Sequence, residues 1–469
     1  MSKGWITDWR PDDEAFWKET GERVARRNLA FSIFAEFLGF SVWVLWAVVA
    51  SQLNKAGFSF STSELFVLVS MPPLVGAFMR LPYTMAVPRF GGRNWTVASA
   101  LLLLVPTILL SVVVQNPDTS YGILLLVAAT AGLGGGNFSS SMANISFFYP
   151  DERKGFPLGL NAAGGNIGVA VTLGFVPLLV TAGIFGALFG GPQSGEGLYL
   201  QNAGLVFVPL ILAAAVCAWL FMDNLAVAAS PARDQAKALR HTDTWIMAVI
   251  YIGTFGSFIG FSSALPVLID TQFPNVSVAL AFLGPLVGSV VRPLGGYLSD
   301  RVGGATVTIW VFALMIASVA GVLFFLGMKE TPWAFAGFLG AFVVLFVGSG
   351  VGNGSTFRMI PVIFRTHMLD RAGDGDEAQS RAVVHAKREA AAVLGFCGAI
   401  GAFGGFLIPQ VFAVSRTLLG GPQAALGVFA AFYVLCGGLT WFHYLRTVPV
   451  RGRAPSLSLI HISEPTRPY

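Results

Sequence analysis

The chain has 469 residues; 55% are hydrophobic and 11% charged, with 55 glycines, 40 phenylalanines and a formal net charge of +5. So apolar a composition excludes a soluble globule. The three cysteines, Cys217, Cys397 and Cys436, all lie in apolar runs, and no Cys/His spacing suggests a metal site, a disulfide framework or a cofactor.

Residues 1–28 are polar and charged, with no cleavable signal peptide. Residues 8–27 read either as a short helix or as a frayed tail. The helix reading rests on Pro11 at a first-turn position and on Asp12, Asp13 and Glu14 at the N-terminus, with Trp5, Trp9, Phe16 and Trp17 against lipid headgroups. Twelve apolar runs follow, near 29–51, 64–88, 95–115, 121–145, 156–183, 203–222, 243–268, 279–299, 304–327, 333–358, 390–412 and 423–445. About 20 apolar residues cross a ~30 Å hydrocarbon core, and helices are the spanning form that satisfies its own backbone there. The fold class is therefore all-α integral membrane, with 12 transmembrane helices. The polar break at 223–242 divides 29–222 from 243–446, six spans each, and a second long loop, 366–389, is expected to be helical through 377–389.

Positive charge sorts by loop. Lys55, Lys329 and Arg416 lie on one side, and Arg80, Arg292 and Arg358 lie within spans. The rest of the 29 lysines and arginines fall at the N-terminus, in the even-to-odd loops and in the tail. This places both termini in the cytoplasm of a protein of the inner cell membrane, and it explains the net charge without nucleic acid. Within the tail 447–469, residues 455–469 (PSLSLIHISEPTRPY) do not follow from the preceding helix and look like translated vector or adapter sequence, so 455–469 is left out of functional reasoning.

The two halves repeat. Arg80 and Arg292 each begin R-x8-R-x-G-G, 212 residues apart. Gly132, Gly134, Gly136, Asn137 and Ser139 match Gly348, Gly350, Gly352, Asn353 and Ser355. Leu158, Gly159, Gly165 and Gly168 match Leu394, Gly395, Gly401 and Gly404. Parallel repeats that rock about a midplane site use this arrangement. The run GxxSDRVGG after the eighth span resembles the major facilitator superfamily. The runs 132–150 (GLGGGNFSSSMANISFFYP) and 348–364 (GSGVGNGSTFRMIPVIF) resemble the paired signatures of its nitrate/nitrite porters, and the opening TDWRPDDEAFW resembles their NarK-type bacterial members. The resemblance implies a major facilitator fold of two pseudo-symmetric halves that carries nitrate and nitrite by alternating access.

An arginine inside a bilayer costs at least ~2.5–3.5 kcal/mol. Nine helical residues rise about 13.5 Å, so Arg80 and Arg292 lie near the midplane if Arg89 and Arg301 mark the edge. A guanidinium is planar, always charged and forked, which suits a small planar anion. The resemblance assigns both arginines to substrate, implies that Phe138 and Phe255 flank the anion, and puts Asn166 beside it. Tyr251, four residues before Phe255, shares its helix face and can donate to an oxygen. Asn137 and Asn144 share a face of span four and read as links between helices. Gly134, Gly135, Gly136, Gly164, Gly165, Gly352, Gly401 and Gly404 read as glycines of the moving interface. Asp300 and Arg301 fit the superfamily's cytoplasmic gate, and the first-half copy lacks the aspartate. Arg358 reads as an anchor that reaches the interface.

Two fixed charges with no acid favour exchange, because the loaded carrier turns over more easily than the empty one. Glu36, about 10 Å deep in span one, opens proton-coupled nitrate symport as an alternative. A nitrate receptor that does not transport, and a carrier of sugars or organic anions, are the competing functions. The absence of an output domain disfavours the first and the paired arginines disfavour sugars. No nucleophile–base pair suggests an enzyme. The expected partners are nitrate, nitrite and the lipid bilayer, and the expected working unit is a monomer.

Overall fold

The computed structural model describes residues 5–150, 153–183, 185–193, 197–226, 239–371 and 376–446. The tail reading and most of the 223–242 linker fall outside them. Among the described residues, twelve helices are long and apolar enough to cross a membrane: α1 (Glu14–Gln52), α2 (Thr62–Phe90), α3 (Gly92–Val113), α4 (Tyr121–Phe148), α5 (Gly155–Ala182), α6 (Asn202–Phe221), α7 (Thr242–Gln272), α8 (Val278–Val302), α9 (Gly304–Gly327), α10 (Ala334–Leu369), α11 (Val393–Leu419) and α12 (Gln423–Arg446). The helical loop at 377–389 is present, and it runs unbroken into α11 as part of Asp376–Ala402.

Helix ends follow local chemistry. Ser61 and Glu64 form a reciprocal capping box at the start of α2. The repeated R-x-G-G is a backbone requirement: Gly91 has φ 85° and Gly303 has φ 92°, left-handed values at the turn between each even helix and the next.

Burial separates the helices into two rings. The apolar windows of α7 and α1 are 94% and 83% buried, whereas those of α6 and α12 reach only 33%. α1 and α7 therefore hold the centre, and the outer helices turn residues such as Leu126, Trp219 and Trp310 outward. Close approach is built in at α1 and α4, where a Cβ on Gly134 would run into the Gly39 carbonyl.

The N-terminal segment differs from both readings. It is not a separate helix or a frayed tail. α1 begins at Glu14, capped by Asp13, and continues through a π-helical turn at Trp17–Gly21 into the first span. Trp5 and Ile6 form β1, a short parallel pairing with Asn224 and Leu225 (β2). Trp9 and Trp17 are buried on protein, not on headgroups: the Trp9 indole N–H donates to the Phe147 carbonyl at 3.0 Å, and Trp17 packs on Tyr149. Arg27 pairs with Asp223 at 2.6 Å. An indole at this end has an apolar face and one donor to satisfy, and the end of α4 supplies both.

Contacts between the halves cluster from Arg80 outward, toward the end opposite the basic loops. There Lys55 pairs with Asp270 at 2.7 Å, Ser63 meets Thr417 at 2.8 Å, Gln410 donates to Ser70 at 2.9 Å, and Phe66 stacks on Phe412.

Candidate functional site

Arg80 sits near the middle of α2 and is 1% exposed. Its Nε donates to the Gly135 carbonyl at 3.3 Å and its Nη1 to the Gly398 carbonyl of the other half at 2.5 Å; Nη2 has no partner. Three aromatic rings surround the guanidinium carbon: Phe138 at 4.7 Å, Phe255 at 5.1 Å and Trp43 at 5.5 Å. Ring faces carry negative potential, so they stabilise the cation without neutralising it.

Arg292, on α8, is buried beside Phe357 at 5.8 Å, and its Nη1 has no partner. The two arginines lie near enough to repel one another. Among the described residues, no carboxylate pairs with either. Two buried cations, each with an unpartnered N–H, have the chemistry to hold an anion.

The predicted aromatic pair comes together from opposite halves. Phe138 of α4 and Phe255 of α7 stack at 6.2 Å between centroids, 23° between planes. Phe255 is aimed by a π-helical turn at Ile252–Gly256, where Gly256 and Gly404 bring α7 and α11 into backbone contact. Tyr251 stacks on Phe255 at 5.4 Å, but its hydroxyl is already used: it donates to Asn353 Oδ1 at 2.8 Å. Its first role is to tie α7 to α10. Asn166 is fully buried on α5 with both amide atoms unpartnered. Its neighbour Gly165 lies against Glu36 and Phe40, and Phe40 packs on Phe138. Asn137, read as a link between helices, also has both amide atoms unpartnered.

The eight glycines do not lie between the halves. Gly134 faces Gly39; Gly135 faces Trp43 and Gly76; Gly136 faces Tyr83; and Gly164 faces Ile33. Gly165 faces Glu36, Gly352 faces Thr254, Gly401 faces Tyr251, and Gly404 faces Gly256. Each contact is internal to one half, so these residues pack the inside of each half rather than the surface between the halves. Gly405 does lie at the surface between halves, against Pro73.

Asp300 does not pair with Arg301. It takes Arg358 of α10 at 2.7 Å, while Arg301 covers the ring of Tyr297. A side chain next in sequence on a helix points about 100° away, whereas Arg358 lies across the α8–α10 contact. The anchor reading of Arg358 is corrected in the same way: it crosslinks two helices.

Glu36 corrects the expectation of a site without acid. It is fully buried, and it lies within electrostatic reach of both arginines without touching them. Trp43, Phe357 and the carbonyls of Gly135 and Gly398 were missed at the sequence level. Phe357 had a signal, because it precedes Arg358 in the second signature run. Carbonyl acceptors have none, since every residue carries one.

A family model described as Major Facilitator Superfamily matches residues 29–373. The chain is 42% identical over 450 residues to the nitrate/nitrite transporter NarU of Escherichia coli (strain K12), covering 94% of this chain and 96% of that protein. It is 36% identical to the probable nitrate/nitrite antiporter NarK2 of Thermus thermophilus, covering 94% and 97%. Among solved structures it resembles a bacterial homolog of the human lysosomal transporter Spinster, in an inward-facing and occupied conformation, at a TM-score of 0.58 and 15% identity over 88% of this chain and 95% of that one. That likeness speaks to the fold alone.

Proposed function

The chain belongs to the Major Facilitator Superfamily, within its nitrate/nitrite porter family, and from that premise we propose that it carries nitrate and nitrite across a cell membrane by exchange at Arg80 and Arg292. The observation that carries this reading is the pair of buried guanidiniums, each with an unpartnered nitrogen and, among the described residues, neither held by a carboxylate. A planar monoanion between them accepts from both forks while its faces rest between Phe138 and Phe255. Asn166 adds an amide donor, and Arg292 closes the site from the second half.

The site holds two guanidinium charges in a poorly hydrated centre, and the buried Glu36 within their electrostatic reach pairs with neither. A bound monoanion offsets part of that charge, so the loaded carrier crosses between states more easily than the empty one. This makes exchange the favoured mode. The Gly398 carbonyl shares the Arg80 fork with the substrate and links the two halves there.

We read residues 29–222 and 243–446 as the two rocking halves, with 223–242 between them and the basic end in the cytoplasm of the inner cell membrane. In that orientation the contacts at Lys55–Asp270, Ser63–Thr417 and Phe66–Phe412 close the outer end, which corresponds to an inward-facing carrier. Asp300–Arg358 stiffens the second half at its cytoplasmic end, and one chain holds the complete site.

The test is counterflow. Purified protein in liposomes loaded with nitrate should accumulate isotopically labelled nitrite faster than protein in empty liposomes. Equal rates would overturn exchange, and nitrate binding with no flux in either case would mark a receptor.

A further inference from the structure

The two arginines are not held alike. Arg292 has one ring beside it, Phe357 at 5.8 Å. Arg80 has a seat within its own half. The Ser139 hydroxyl of α4 donates to the Arg80 backbone carbonyl at 2.8 Å, the Gly135 carbonyl takes Nε at 3.3 Å, and the Trp43 ring lies 5.5 Å from the guanidinium carbon. Phe138 and Phe255 already have a task as the walls of the anion slot, and Gly398 belongs to the other half. Trp43 is left with none, although it is among the largest fully buried side chains in the chain.

Trp43 sits on α1 and is fixed on three sides. Its indole N–H donates to the Pro72 carbonyl of α2 at 2.9 Å. Gly76 lies one helical turn before Arg80, and helical side chains lean toward the N-terminus, so the Arg80 side chain lies back over the Gly76 turn. A Cβ on Gly76 would lie 2.5 Å from the indole nitrogen, and a Cβ on Gly135 would lie 2.6 Å from the ring. The indole fills the room that these two glycines leave. The residue whose carbonyl takes Arg80 Nε therefore also packs on the ring beside the guanidinium. Phe40 meets the Trp43 ring edge-on at 5.2 Å and packs in turn on Phe138. With its one N–H given to Pro72, Trp43 offers the centre a ring and no donor.

We propose that Trp43 is a positioning residue for the anion site, which sets the plane of the Arg80 guanidinium so that its fork meets two oxygens of the substrate at once. This deepens the anion-carrier reading above and rests on it. An arginine side chain is long and rotatable, and a two-pronged contact gains most when its plane is set in advance. The Gly135 carbonyl fixes one nitrogen, and one point cannot fix a plane. The Trp43 ring supplies the second constraint. Tryptophan suits the task because its ring is rigid, its face attracts cations more than the other aromatics do, and its N–H pins it to α2. A leucine would still pack on Gly76 and Gly135, but it would offer neither ring nor anchor. Trp43 thus acts on anion affinity, through Arg80, without touching the substrate.

The test is a double-mutant cycle read in liposomes loaded with nitrite, with the rate of nitrate entry measured against nitrate concentration for the full-length protein. Trp43→Leu should raise the half-saturating nitrate concentration about fivefold to thirtyfold and change the maximal rate per folded protein much less. In an Arg80→Lys background, where there is no guanidinium plane to set, the same Trp43→Leu change should cost less than about twofold at subsaturating nitrate. In an Arg292→Lys background it should keep its full effect. A role confined to packing would lower the melting temperature or the maximal rate and leave half-saturation where it is, and that result overturns the proposal. An equal loss in the wild-type and Arg80→Lys backgrounds overturns it as well. If Trp43→Leu does not fold, Trp43→Phe decides: it keeps a ring without the N–H to Pro72, and should raise half-saturation about twofold or more in the wild-type background alone, while an unchanged value overturns the proposal. Failure of wild type to exchange nitrate for nitrite would instead sink the anion-carrier reading itself.

Discussion

Replacing Arg80 with lysine keeps the charge and removes the geometry, so it tests the forked receptor directly. In the structure one guanidinium serves two carbonyls, at 3.3 and 2.5 Å, keeps Nη2 free, and lies among three rings. A bound nitrate that accepts from one guanidinium edge gains two charge-assisted hydrogen bonds. A lysine ammonium supplies one of them, and it cannot serve Gly135 and Gly398 at the same time. Each such bond is worth about 1.5–3 kcal/mol, so the loss corresponds to roughly a tenfold to hundredfold weaker site. Arg80→Lys should lower nitrate/nitrite counterflow by that factor at subsaturating substrate. Arg292→Lys should do the same by a smaller factor, because Arg292 keeps fewer contacts. Folding should survive, since neither change strands a carboxylate partner; the thermal midpoint and elution profile in detergent check this. Either lysine variant retaining more than about half of wild-type counterflow would refute the paired-fork reading.

Three further outcomes follow from the packing. Tyr251→Phe removes the donor to Asn353 Oδ1, whose Nδ2 is already unpartnered; it should cost about 1–3 kcal/mol of stability in a detergent melt, and no loss would show that the α7–α10 link is idle. Gly134→Ala drives a Cβ into the Gly39 carbonyl and should cost about 1–3 kcal/mol, whereas Gly159→Ala, with nothing within 4 Å of its Cβ, should stay within about 0.5 kcal/mol; equal melts for the two variants would contradict the close α1–α4 approach. Lys55→Ala removes a partly exposed ion pair between the halves, worth about 0.2–1 kcal/mol, and should raise the far-end-open population by up to about fivefold. Spin labels on the loops at that end would report it as a longer distance, and an unchanged distribution would show that the pair does not hold the end shut.

Read along the chain, the amino-acid pattern is enough for the twelve spans, the division into halves and the repeated arginines. These are one-dimensional properties: apolar run length, spacing at 1.5 Å per residue, and recurrence at a fixed offset. The glycine of each R-x-G-G turn is legible for the same reason, because a left-handed φ is a local demand. Partners are another matter. Arg80 bonds to Gly398 across 318 residues, and Trp9 bonds to Phe147 across 138, each through a backbone carbonyl that no residue type advertises. Tyr251 was legible as an aromatic beside the site, but not as a donor already committed to Asn353. The glycines were legible as close contacts, but not as contacts within a half. Asp300 chose Arg358 over its sequence neighbour because helix geometry turns neighbours apart and brings distant residues together. Sequence alone determined that this chain spans a membrane and buries two forked cations at its centre. Tertiary structure decided which rings, carbonyls and carboxyl share that centre, because those choices depend on how separate helices meet.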